Sequence, residues 1–132
     1  MARGGEKKDL DIVVYGATGF TGQFILKELL RSAGPDVAVG AAGRNPAKIA
    51  KVIADASREL GTDVSSRVTT LVADLNDQDS LQKMTARAKV LVNAVGPYRK
   101  FGLPVVKACL DGNCSYLDIC GEPEFIEKVD LL

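Results

Sequence analysis

The chain has 132 residues, 46% of them apolar and 26% charged, with 17 Lys plus Arg against 17 Asp plus Glu. That length suits one domain able to bury roughly two thirds of the surface its unfolded form exposes. The balanced charge excludes the positive field that drives sequence-independent binding to nucleic acid or an anionic membrane, and no run of about 18 apolar residues is available to span a bilayer. The absence of histidine removes the usual zinc sites and every His-based triad, so no metal site is expected.

Residues 1–10 read as a polar tail without the apolar segment of a secretory signal. The first strand is DIVVYG (11–16), followed by a glycine-rich turn and a helix from about Phe20. Phe20, Phe24, Ile25, Leu29 and Leu30 recur at three and four, which predicts one buried stripe; Gly34-Pro35 marks its stop. The second strand is DVAVGAAG (36–43), and Asn45 is the predicted N-cap of a helix with Pro46 in its first position and Gly61 at its end. RVTTLVA (67–73) is the third strand, with Asn76 or Asp77 capping the next helix. KVLVNAV (89–95) is the fourth, leading through Gly96-Pro97-Tyr98 into a helix whose stripe is Leu103, Val106, Cys109 and Leu110 and whose stop is Gly112. SYLDIC (115–120) is the fifth strand, and EPEFIEKVDLL opens a further amphipathic helix with no closing strand, so the chain reads as a domain cut short.

Strands that are apolar on both faces and alternate with helices form a parallel sheet covered on both sides. The expected fold is therefore α/β, a doubly wound Rossmann-like sheet of strand order 3-2-1-4-5, spanning residues 11–132 and truncated before any substrate domain. On that fold YGATGFTG places Gly16, Gly19 and Gly22 at the first strand-to-helix turn. The first permits a tight turn, the second lets backbone approach a pyrophosphate, and the third lets helix and strand pack closely. Ala17 and Phe20 belong to the same loop, whose amides face the phosphates at the positive helix end, with Thr18 and Thr21 adding hydroxyl donors.

NAD sites place an acid at the end of the second strand to hold the ribose hydroxyls. Here that position reads Ala41-Ala42-Gly43-Arg44-Asn45, and Asp36 lies at the strand's other end. Arg44, helped by Asn45 and Lys48, suits a 2′-phosphate, so NADP (NADPH) is the expected cofactor over NAD. Asp74 and Leu75 follow the third strand where adenine would lie, although Asp74 equally suits a turn cap. Asn93, Ala94, Val95 and Gly96 follow the fourth, beside the nicotinamide ribose. Tyr98 either covers the nicotinamide or packs on the sheet. Asp118, with Gly121 and Glu122 nearby, either donates a proton or ties a strand end to backbone amides. No catalytic residue is assigned.

YGATGFTG, AAGRNPAKI, LVNAVGPYRKFGLPVVKAC and YLDICGEPEFI together resemble the N-terminal NADP-binding domain of the saccharopine dehydrogenase-like oxidoreductases, and are also similar to the trans-acting enoyl reductases. The resemblance runs from about Asp11 to Phe125 and implies an NADP-dependent reductase whose cofactor domain precedes a substrate-shaping domain, this piece alone being inactive. A non-catalytic NADP-binding sensor or scaffold is the alternative. An epimerase-like dehydrogenase is disfavoured: Tyr15, Tyr98 and Tyr116 carry Gly19, Gly102 and Cys120, not lysine, four positions on.

Cys109, Cys114 and Cys120 form no C-x-x-C pair, which with the missing signal points to reduced thiols and an intracellular, by default cytoplasmic, location. Cys109 falls on a helix stripe and is expected in the core, whereas Cys114 and Cys120 are open to exposure. Homo-oligomerisation, and association of a longer parent with membranes or lipid droplets, stay open.

Overall fold

The computed structural model describes residues 8–119 and 123–131, the side chains of 123–125 excepted. In chain order the elements are β1 (Leu10–Tyr15), α1 (Phe20–Ser32), β2 (Val39–Gly43), α2 (Pro46–Leu60), a 3-10 turn (Ser65–Arg67), β3 (Val68–Val72), α3 (Gln78–Arg87), β4 (Ala88–Asn93), α4 (Tyr98–Asp111), β5 (Ser115–Asp118) and α5 (Pro123–Asp130). The sheet is parallel throughout with order β3-β2-β1-β4-β5, as the alternation of apolar runs and helical periods predicts. Every strand therefore ends at the same edge, where the loops after β1, β2, β3 and β4 converge.

Two apolar clusters hold the layers together. On one face Leu26, Leu30, Ile49 and Ile53 of α1 and α2 meet Val14, Val39 and Ala41. On the other, Leu81, Met84 and Val105 of α3 and α4 meet Val13 and Leu91. Helix ends follow the capping signals: the Asn45 side chain accepts from the amides of Ala47 and Lys48, and Asp77 from that of Ser80. Of the two candidates for the third helix, Asp77 is the cap.

β1 starts one residue earlier than expected, at Leu10, which is buried, and Lys8 and Asp9 are tied into the fold. The Lys8 ammonium donates to the carbonyls of Thr85 and Gly112 at 2.9 and 2.7 Å. A cation there satisfies carbonyls left unpaired where α3 and α4 end. Asp9 forms a two-point contact with Arg87.

Two expectations are corrected and one open point, the exposure of Cys114, is decided. The buried stripe of α1 is Gly22, Leu26 and Leu30, while Phe20 and Phe24 are 78% and 49% exposed and stack edge to face on the outside. Gly22 has to face β1, and at 3.6 residues per turn that contact puts positions 20 and 24 about 160° away. Leu110 lies outside the buried face of α4 and is exposed, although Val106 and Cys109 are buried as predicted. Cys114 is buried, because Gly112 ends α4 and turns the chain directly back into the sheet. Cys120, Gly121 and Glu122 lie outside the described residues. Among the described residues no helix is long and apolar enough to cross a membrane.

Candidate nucleotide site

The glycine turn is built by close approach. Gly16 adopts φ 84°, and a Cβ on it would lie 2.7 Å from Val95 Cγ2. A Cβ on Gly22 would lie 1.9 Å from the Gly16 carbonyl oxygen, so the first turn of α1 rests directly on the end of β1. Gly16 and Ala17 donate their amides to the Ala42 carbonyl at 3.0 and 3.2 Å, and Gly19 donates to Gly16 at 3.1 Å. These bonds brace the loop and consume three of its donors.

The next three amides behave differently. Phe20, Thr21 and Gly22 occupy the first turn of α1, whose amides have no acceptor within the helix, and Gly19 at the N-cap supplies no side chain to cap them. The Thr18 and Thr21 hydroxyls make no hydrogen bond among the described residues. No acidic side chain stands in that turn. The result is a positively polarised helix start with free backbone donors, seated so closely on β1 and on the turn after β4 that a side chain at position 16 or 22 would clash with its neighbours.

Arg44 follows β2 directly, is exposed, and makes no ion pair among the described residues. Lys48 stands in the first turn of α2, which also carries no acid. A cation at that end of a helix is electrostatically disfavoured unless an anion joins it. Asn45 lies between the two, but its side-chain oxygen is committed to the helix cap. Asp36 precedes β2 at the far edge of the sheet, so no carboxylate stands beside Arg44 in sequence.

After β3, Asp74 accepts from the Asn76 amide at 2.9 Å, the turn-forming role, while remaining half-buried at the strand-end edge. Leu75 packs partly buried against the core. At the end of β4, the fully buried Asn93 accepts from the Val95 amide at 3.0 Å and donates to the Tyr116 hydroxyl at 3.1 Å. Asn93 thereby sets the turn through Ala94 and Val95 that touches Gly16. Gly96, exposed, leads through a cis Gly96–Pro97 bond into α4.

Tyr98 is 7% exposed and donates its hydroxyl to the Asn93 carbonyl at 2.9 Å, which places it in the packing. Tyr116 donates to Asp118 at 2.7 Å within β5, so the Asp118 side chain braces the phenol that takes the bond from Asn93 of β4. This Asn93–Tyr116–Asp118 chain of hydrogen bonds escaped sequence reasoning. Its only trace there was the alternation of 116 with 118 along one strand.

Two phenols are held protonated. Burial, opposed by Arg44 and reinforced by Asp74, pushes Tyr15 up to about 12. Burial, then its bond to Asp118, raises Tyr116 above the ordinary tyrosine range. A raised folded value means the contribution to stability is complete below the unfolded value near 10 and is lost as pH climbs through about 12. Urea midpoints measured at pH 9 and pH 11 should therefore fall for the wild type and fall less for Tyr15→Phe; parallel declines would exclude the phenol as the source.

Residues 12–128 match the family model described as saccharopine dehydrogenase NADP binding domain. The chain is 41% identical over 128 residues to a mouse saccharopine dehydrogenase-like oxidoreductase, covering 92% of this chain and 30% of that protein. It is 40% identical over 125 residues to a Mycobacterium tuberculosis protein named as a trans-acting enoyl reductase, covering 94% of this chain and 28% of that one. Among solved structures, apo saccharopine dehydrogenase (L-Glu forming) from Saccharomyces cerevisiae superposes with a TM-score of 0.64 at 21% identity, over 89% of this chain and 23% of the yeast one. The chain thus spans about 30% of the length of the curated relatives it matches. With that match running through the glycine turn, Arg44 and the turn after β4, the chain belongs to the saccharopine dehydrogenase NADP-binding domain family.

Proposed function

We propose that this domain holds NADP(H) for an oxidoreductase, with the pyrophosphate at the glycine turn and the adenosine 2′-phosphate at Arg44 and Lys48. The observation that carries the reading is the set of uncapped first-turn amides of α1, packed so closely on β1 that only glycine fits at positions 16 and 22. Bound there, the cofactor supplies a hydride. The chain's own residues do the rest: the amides of Phe20, Thr21 and Gly22 donate to phosphate oxygens, and Thr18 and Thr21 add hydroxyl donors. Asp74 and Leu75 line the adenine side. Asn93 holds Ala94, Val95 and Gly96 where the nicotinamide ribose passes, and Tyr98 fixes that turn from beneath.

Hydride transfer to a substrate belongs, in this reading, to the whole parent protein, with the substrate held by a second domain. The free thiols Cys109 and Cys114 accord with an intracellular setting. The domain alone binds cofactor without turnover.

Calorimetric titration of the chain with NADPH and with NADH tests the assignment. NADPH is expected to bind at least about tenfold tighter, the difference one charged hydrogen-bonding contact makes. Equal affinities would remove the NADP assignment, and no binding of either would remove the nucleotide site.

A further inference from the structure

Cys109 and Cys114 take no part in the contacts assigned above, and the backbone bonds that end α4 fix how they sit. The Cys114 amide donates to the Cys109 carbonyl at 2.8 Å and the Asn113 amide to that of Leu110 at 3.3 Å, with Asn113 left-handed at φ 53°. This is the Schellman ending of a helix, in which the residue opening the last turn and the residue after the left-handed one bring their side chains together. Here both are cysteine, and both thiols are free and buried in one apolar cluster.

Packing at that contact asks only for two small apolar groups, whereas two thiols also meet the geometry of a disulfide. With the backbone N···O distance at 2.8 Å, covalent dimensions keep the two Cα atoms within about 6.7 Å of each other, inside the roughly 4.4–6.8 Å that a disulfide spans. The turn between them is held in place. A Cβ on Gly112 would lie 2.6 Å from the Thr85 hydroxyl oxygen, that hydroxyl donates to the Ala108 carbonyl at 2.9 Å, and the Lys8 ammonium donates to the Gly112 carbonyl at 2.7 Å.

We infer that Cys109 and Cys114 form a redox-sensitive dithiol that hydrogen peroxide closes to a disulfide, pinning the end of α4 to the start of β5. The two thiols have different parts. The neighbouring Cys109 thiol draws Cys114 below its ordinary pKa against the opposing effect of burial, and the Lys8 charge acts with it, while the same contact and burial raise Cys109. Exposed Asn113 and Ser115 leave Cys114 one residue from solvent, within reach of an oxidant little larger than water. The Cys114 thiolate attacks a peroxide oxygen; the O–O bond breaks, the sulfur keeps that oxygen as a sulfenic acid, and the departing hydroxide takes up the proton the thiol lost. The Cys109 sulfur then displaces the oxygen as water, which carries off the Cys109 proton. Two thiols lose two electrons, and one peroxide becomes two waters.

The test is the folded Cys120→Ser chain, in which only this pair remains, treated with hydrogen peroxide, denatured, alkylated and weighed intact. The product should be a monomer two hydrogens lighter that takes up no alkylating reagent until dithiothreitol restores both thiols. The oxidised chain should melt about 5 °C higher, since the cross-link constrains the unfolded chain and fits the folded one. The wild-type chain treated alike should lose two of its three thiols, which keeps the outcome readable should Cys120→Ser fold poorly. Two thiols still open to alkylation, an oxygen retained on one sulfur without closure, a disulfide-linked dimer, or a lowered melting temperature on oxidation would each overturn the inference.

Discussion

Gly22→Ala is expected to lower the melting temperature by about 10 °C and to abolish NADPH binding. The added methyl would sit 1.9 Å from the Gly16 carbonyl oxygen and 2.8 Å from its carbon, and both are backbone atoms that no rotamer change moves. Relief requires α1 to lift off β1, which uncovers Leu26 and Leu30, both buried against the sheet. Overpacking of this kind costs about 3 kcal/mol, and for a chain of this size each kcal/mol is worth roughly 3–5 °C. Gly19→Ala is the informative contrast. Its methyl would meet only the Gly16 oxygen at 3.4 Å, and φ at that residue is −73°, so the fold tolerates it at a cost of about 1 kcal/mol. Its effect should fall on NADPH, whose pyrophosphate would have to approach the space the methyl takes. Differential scanning calorimetry with and without NADPH separates the two variants, and a Gly22→Ala chain melting like the wild type would show that the helix does not rest on the turn as described.

Arg44→Ala should weaken NADPH about tenfold to a hundredfold and leave NADH within about threefold. An arginine–phosphate contact is charge-assisted and two-pronged, worth roughly 1.5–3 kcal/mol, and NADH has no phosphate there to lose it. Arg44 is exposed and unpaired among the described residues, so its removal leaves no partner stranded and the melting temperature should hold. The discrimination should also shrink with added salt, because an exposed charge pair is screened. Equal losses for the two cofactors would place Arg44 on the shared part of the molecule, for instance stacked on adenine.

Most of the fold was legible in the chain because each element carries its own local evidence. Apolar β-branched runs mark the strands, Asn45 with Pro46 and Asp77 mark helix starts, and Gly61 and Gly112 mark helix ends. Phe20 and Phe24 show where local evidence stops. Periodicity says that a helix has an apolar stripe, but not which way that stripe turns, and two residues with correct spacing ended outside. The same limit explains Leu110 and Cys114, whose burial depends on how α4 hands over to β5. For the proposed site, sequence spacing put the glycines, Arg44, Asp74 and the turn after β4 at the carboxyl ends of their strands, where the sheet has them. It missed the Asn93–Tyr116–Asp118 chain, since the bond that starts it joins residues 23 positions apart in sequence.

The amino-acid order alone determined the succession of strands and helices, the parallel sheet and the glycine fingerprint with the arginine that follows the second strand, because each element is marked by residues within a few positions of one another and the rest follows from their order. Only the tertiary structure decided the rotation of α1, the burial of Cys114, and the hydrogen-bonded chain from Asn93 through Tyr116 to Asp118. The physical reason is the contact of Gly22 with Gly16 and the registry of β4 with β5: close packing across the sheet turns a stripe to one face and brings distant side chains within reach, and no local preference carries that information.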